Sequence, residues 1–94
     1  MEDILTVCEK HKDEGNKLLK EYHFDNAIES YTTAIEKGKE AVEFPSQKLA
    51  IYFANRSFAH IKNENYGLGL NDAEESTKLN PNYEKAFLRL GFLN

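Results

Sequence analysis

Apolar residues return every three or four positions through nearly the whole chain, and no sustained two-residue alternation interrupts them. Leu18, Leu19 and Tyr22 share one face, as do Ala27, Ile28, Tyr31, Ala34 and Ile35. A third stripe runs through Leu49, Tyr52, Phe53, Arg56, Ala59 and His60, and a fourth through Leu70, Ala73 and Leu79. Tyr83, Ala86, Phe87, Leu90 and Gly91 make a fifth. The pattern predicts five helices, near 3–21, 24–42, 46–63, 66–79 and 82–93, and an all-α fold. Pro45 and Pro81 both fall between periodic segments, where a missing N–H does least harm.

The stripes repeat. Ser57 and Gly91 are 34 residues apart, and each closes a similar step, Asn55-Arg56-Ser57 and Arg89-Leu90-Gly91. Gly15 is the equivalent small residue of a first unit. From Gly15, Ala27 lies 12 on, Tyr31 16 on and Ala34 19 on; from Ser57, Gly69 lies 12 on, Ala73 16 on and Pro81 24 on. Small residues at such offsets let two antiparallel helices cross closely, with Tyr31 and Phe87 filling the space beside them. A 34-residue period with this spacing resembles the tetratricopeptide repeat. That resemblance implies a right-handed stack of helical hairpins in one domain. Repeat 1 would span about 8–49, repeat 2 about 50–83 and a partial repeat 3 about 84–94. Gly69 and Ser76 stand where the family usually has alanine, and His11 where it has tryptophan.

Two irregularities carry expectations of their own. Gly15 to Ser57 is 42 residues, so eight extra residues lie near 38–47. Glu36 to Glu43 is expected to prolong the second helix by two turns, ended by Pro45; a partner contact through Val42 and Phe44 is the alternative. The third unit has one helix where a repeat needs two, which suggests a piece of a longer protein. Phe87, Leu90 and Leu93 would then be partly uncovered, and self-association through that strip is an expected way to cover them.

Composition narrows the function. Ninety-four residues, 40% hydrophobic and 12% aromatic, suffice for one small packed domain. A net charge of −4 argues against nucleic acid as a partner. The lone Cys8 cannot form an internal disulfide, and is read as a packed or surface thiol in a reducing compartment. No apolar run approaches the roughly 20 residues of a membrane span, and Glu2 and Asp3 do not open a signal peptide. A cytoplasmic or nuclear location follows. His11 and His60 read as packed or half-buried helix residues, and Glu9, Asp13 and Glu14 as a solvated face. No nucleophile constellation, metal spacing or phosphate loop is present, so no catalytic residue and no cofactor is expected.

One polar set remains. Lys12 and Asn16 are four apart, as are Lys85 and Arg89, so each pair shares a helix face, and Asn55 occupies the corresponding segment between them. If the first helices of the hairpins stack side by side, three cations and two amides converge on one groove. That chemistry suits a chain-terminal carboxylate beside an acidic side chain. The resemblance points the same way. In tetratricopeptide arrays the groove-facing positions would be Glu9, Lys12, Asp13 and Asn16, then Ile51, Ala54, Asn55 and Phe58, then Lys85, Leu88, Arg89 and Phe92. Lys12, Asn16, Asn55, Lys85 and Arg89 fall on the two-carboxylate clamp of co-chaperones, with Leu19 and Lys62 as accessory contacts and Phe58 where the family often has a small residue. The resemblance implies binding to the Glu-Glu-Val-Asp terminus of seventy- and ninety-kilodalton heat-shock chaperones. Asn55 to His60, with Asn65-Tyr66-Gly67 and Asp72-Ala73, resembles the N-terminal repeats of type-five serine/threonine protein phosphatases. The insertion resembles other clamp co-chaperones instead.

Overall fold

The computed structural model describes residues 2–86. Four helices are present among them: α1 (Ile4–Lys20), α2 (Phe24–Glu40), α3 (Ser46–Lys62) and α4 (Tyr66–Leu79). Helical backbone resumes at Glu84. Most of the expected fifth helix, with Phe87, Leu88, Arg89, Leu90, Phe92 and Leu93, lies outside the described residues. α1 packs along α2, α3 along α4, and α2 against α3, so two hairpins stack; α1 and α3 meet over a short stretch.

Local chemistry sets the ends. The carboxylate of Asp3 accepts the Thr6 N–H at 2.8 Å and caps α1. α1 and α3 end in the same way. After α1, Tyr22 takes a left-handed φ of 64°, His23 N donates to Leu18 O at 2.9 Å, and Tyr22 N donates to Leu19 O. After α3, Glu64 takes φ 62°, Asn65 N donates to His60 O at 2.7 Å, and Glu64 N donates to Ile61 O. Each is a Schellman closure without its usual glycine. The two turns lie together, since Asn63 Nδ2 donates to Asp25 Oδ1 at 2.8 Å.

The small residues do what the spacing implied. A Cβ built on Gly15 would lie 2.5 Å from Tyr31 Cε1, so the tyrosine ring rests directly on the α1 backbone. In the second hairpin Ser57 Oγ donates to Gly69 O at 2.7 Å, and Ser76 Oγ donates to Ala50 O at 2.6 Å. Both hydroxyls are fully buried, and their hydrogen bonds offset the cost of desolvating them at the crossings. Cys8 is buried with Ala34, Ile35, Leu49, Tyr52 and Phe53. Burial pushes its thiol pKa up, which leaves a packing thiol rather than a reactive one.

The expected extension of α2 forms only in part: Glu36–Glu40 is helical and Ala41–Glu43 is not. α2 stops at Glu40, Ala41 is extended, and Glu43 takes φ 59°. Phe44 folds back onto the core, 6.2 Å from the Tyr52 ring. Gly38 permits this: a Cβ there would sit 3.0 Å from Leu49 Cδ2 and 3.2 Å from Phe44 Cε2. Phe44 is thus an internal contact, while Val42 is 90% exposed.

A buried ion pair closes the second hairpin, and its arginine also reaches the first. Arg56 Nε and Nη2 donate to Asp72 Oδ2 and Oδ1 at 2.7 and 2.8 Å, and Nη1 donates to Thr32 Oγ1 at 3.1 Å. His60 is buried beside them, with Nε2 3.7 Å from Asp72 Oδ2 and Nδ1 without a hydrogen-bond partner among the described residues. Burial lowers the His60 pKa; Asp72 opposes that and Arg56 reinforces it. The folded imidazole is therefore neutral at pH 7, whereas the unfolded chain takes up this proton near about 6.5. Its contribution to stability is full above that value and is lost as pH falls through the depressed folded pKa. The thermal midpoint is expected to fall between about pH 7.5 and 5.5. His60→Gln should flatten that segment, and an identical slope in the variant would exclude His60 as its source.

Candidate functional site

Two asparagines make one end of the cross-hairpin contact between α1 and α3. Asn16 Oδ1 accepts from Tyr31 OH at 2.5 Å and from Asn55 Nδ2 at 3.2 Å. Asn16 Oδ1 is thereby committed to two donors, which leaves the Asn16 Nδ2 N–H groups to meet an acceptor, beside the remaining N–H and the Oδ1 of Asn55. Tyr31 is fully buried, and burial pushes its pKa up to about 12, so its hydroxyl stays a donor.

Around this pair lies a cavity of about 430 Å³, lined by Asn16, Leu19, Lys20, Asn55, Phe58 and Lys85. Five of the sequence-predicted residues therefore share one groove: Asn16, Asn55, Lys85, Leu19 and Phe58. Leu19 and Phe58 supply apolar lining, and Lys20 and Lys85 supply positive charge. Lys62 is exposed and reaches the groove indirectly, its Nζ 5.3 Å from the centre of the Phe58 ring. Arg89 lies outside the described residues.

Lys12 lies one turn before Asn16 on α1, outside the lining of this cavity, and its ammonium is held 3.1 Å from Asp13 Oδ1 and 3.5 Å from Glu9 Oε2. Burial alone would lower the Lys12 pKa, but these two carboxylates raise it. Glu9 is not a solvated-face residue. Its carboxylate accepts from Lys48 Nζ at 2.8 Å and Tyr52 OH at 2.9 Å. Ala54 and Ile51 do not face the groove openly either: Ala54 is buried and Ile51 packs against the core.

Lys20 is the groove residue that the sequence reading missed, although it stands four after Asn16 and so on the same face. Among the described residues no group of three His, Cys, Asp or Glu side chains converges as a metal site. No described helix is long and apolar enough to cross a membrane.

This fold has known counterparts. The small glutamine-rich tetratricopeptide repeat-containing protein of Dictyostelium discoideum is 35% identical over 89 residues, 95% of this chain and 24% of the relative. Serine/threonine-protein phosphatase 5 of Homo sapiens is 37% identical over 85 residues, 90% of this chain and 15% of the relative. Among solved structures, the second TPR of Spaghetti (RPAP3), bound to the HSP90 peptide SRMEEVD, superposes with a TM-score of 0.80 at 31% identity. That match covers 92% of this chain and 72% of the other. No protein-family model matches the chain. The chain belongs to the tetratricopeptide-repeat family, whose domains are protein-interaction modules. It spans about a quarter or less of these two curated relatives, and the phosphatase is matched in its repeat region, not in a catalytic one.

Proposed function

We propose that the groove binds the acidic C-terminal peptide of a cytosolic heat-shock chaperone of the seventy- or ninety-kilodalton class. The observation that carries this is the Asn16–Asn55 pair, fixed at 3.2 Å through a shared oxygen in a cavity that Lys85 and Lys20 make positive. On this reading Lys12, Asn16 and Asn55 hold the terminal carboxylate, while Lys85 and Arg89 grip the last side chain or the acids before it. Leu19 and Phe58 take the apolar residue, and Lys62 adds charge beside Phe58. A relative in complex with SRMEEVD supports the reading.

Titration with Met-Glu-Glu-Val-Asp, as free acid and as C-terminal amide, tests it. A short extended ligand buries little area, so affinity for the acid is expected on the order of micromolar. Each charge-assisted hydrogen bond contributes about 1.5–3 kcal/mol, so Lys85→Ala or Arg89→Ala should weaken binding roughly tenfold or more. Raising salt from about 0.05 to 0.5 M shortens screening from roughly 14 to 4 Å and should weaken it further. Equal affinity for acid and amide overturns the clamp. Concentration-dependent sedimentation without peptide binding would favour self-association as the function instead.

The parent protein follows as a second proposal: a type-five serine/threonine phosphatase that the module targets to chaperones in the cytoplasm or nucleus. Asn65-Tyr66-Gly67 and the 37% identity to phosphatase 5 support it. The 35% identity to a small glutamine-rich repeat protein supports another clamp co-chaperone. Phosphatase activity purifying with the endogenous protein decides between them.

A further inference from the structure

We infer, on the peptide-binding reading above, that Glu9 is a built-in competitor for the clamp's cations and so sets the affinity for acidic ligands. Its carboxylate meets cations and a hydroxyl as a ligand carboxylate would. Oε1 accepts from Lys48 Nζ at 2.8 Å, and Oε2 accepts from Tyr52 OH at 2.9 Å with Lys12 Nζ 3.5 Å away. Asp13 Oδ1 takes Lys12 from the other side at 3.1 Å. Two lysines thus face two carboxylates, and this end of the α1–α3 surface carries no net charge. The Asn16–Asn55 end differs, with Lys20 and Lys85 beside its amides.

Glu9 keeps its charge at neutral pH. Burial alone would raise its pKa, but the hydrogen bonds from Lys48 and Tyr52 and the charges of Lys12 and Lys48 bring it below the ordinary value. A ligand carboxylate reaching for Lys12 therefore meets two resident anions that must be displaced or tolerated. Glutamine at this position keeps an oxygen for Tyr52 OH and removes the charge, so Glu9→Gln isolates the competition from the packing.

The test titrates wild type, Glu9→Gln and Asp13→Asn with the free-acid and amidated Met-Glu-Glu-Val-Asp peptides at low and high salt. Glu9→Gln is expected to bind the free acid about threefold to tenfold more tightly, and Asp13→Asn about twofold, because a like charge near Lys12 has gone. The gain should be smaller for the amide and should vanish near about 1 M salt, which a packing change would not produce. Unchanged or weaker binding in both variants overturns the inference and makes Glu9 a strut that holds Lys12 in place. Should Glu9→Gln fail to fold, the exposed Asp13 variant decides alone by the same signs. A wild-type chain that ignores the acid–amide difference defeats the peptide reading itself, which is a separate result.

Discussion

Arg56→Ala is expected to destabilise the fold by about 3–5 kcal/mol, because it strands a buried carboxylate. Asp72 is 6% exposed, and the guanidinium meets it with two parallel hydrogen bonds of 2.7 and 2.8 Å. The same side chain donates to Thr32 Oγ1 and lies 5.4 Å over the Phe53 ring, so it joins α2, α3 and α4. Without it Asp72 keeps, among the described residues, only His60, 3.7 Å away and held neutral by burial. Arg56→Lys should recover only part of the loss, since an ammonium cannot reproduce the planar fork. Arg56→Met with Asp72→Leu should recover much of it, because two apolar residues leave no charge to solvate. Urea denaturation reads all three variants. With a total of about 5–15 kcal/mol for a domain, the single alanine variant sits near the edge of folding. A loss under about 1 kcal/mol would mean that water reaches the pair and that it behaves like a surface bridge.

Arg56 itself was legible only as a member of an apolar stripe; its partner was not. Helical spacing within one segment says which face a residue occupies, not which residue of another helix stands opposite. The helices were predictable for the reason that Arg56–Asp72 was not. Prolines, small residues and 3.6-residue periodicity act over a few positions, and α1, α3 and α4 end within a residue or so of the expected limits. α2 ends two residues short of the expected limit because Phe44 reaches across to Tyr52 and Leu49, a tertiary contact that outweighs helix continuation through Ala41–Glu43. Glu9 was misjudged for the same cause, since Lys48 and Tyr52 lie 39 and 43 residues downstream. The groove was more legible. Its asparagines and Lys85 are placed by the repeat period, and the period is a property of sequence. What the period could not show is that Lys12, at a matching position, is already engaged by its neighbours on α1.

Gly15→Ala is expected to cost about 1–3 kcal/mol by overpacking and to weaken peptide binding as well. The added Cβ would lie 2.5, 2.7 and 2.9 Å from three atoms of the Tyr31 ring. That ring cannot swing aside, because Tyr31 is fully buried and its hydroxyl is fixed on Asn16 Oδ1. Relief must come from separating α1 and α2, and the separation acts on the Tyr31–Asn16 bond that holds the asparagine pair in register. Gly67→Ala is the matched control. No heavy atom lies within 4 Å of a Cβ there, and its φ is not positive. Alanine at that position should stabilise by about 0.4–1 kcal/mol by restricting the unfolded chain. The two substitutions are chemically identical and opposite in expected sign, so thermal or urea unfolding of the pair separates close approach from helix propensity. Tyr31→Phe completes the comparison. It keeps the ring against Gly15 and removes the bond to Asn16, so any binding loss it shares with Gly15→Ala belongs to the lost hydroxyl contact. If Gly15→Ala leaves both stability and peptide affinity unchanged, the α1–α2 crossing is looser than 2.5 Å implies, and the asparagine pair does not depend on it.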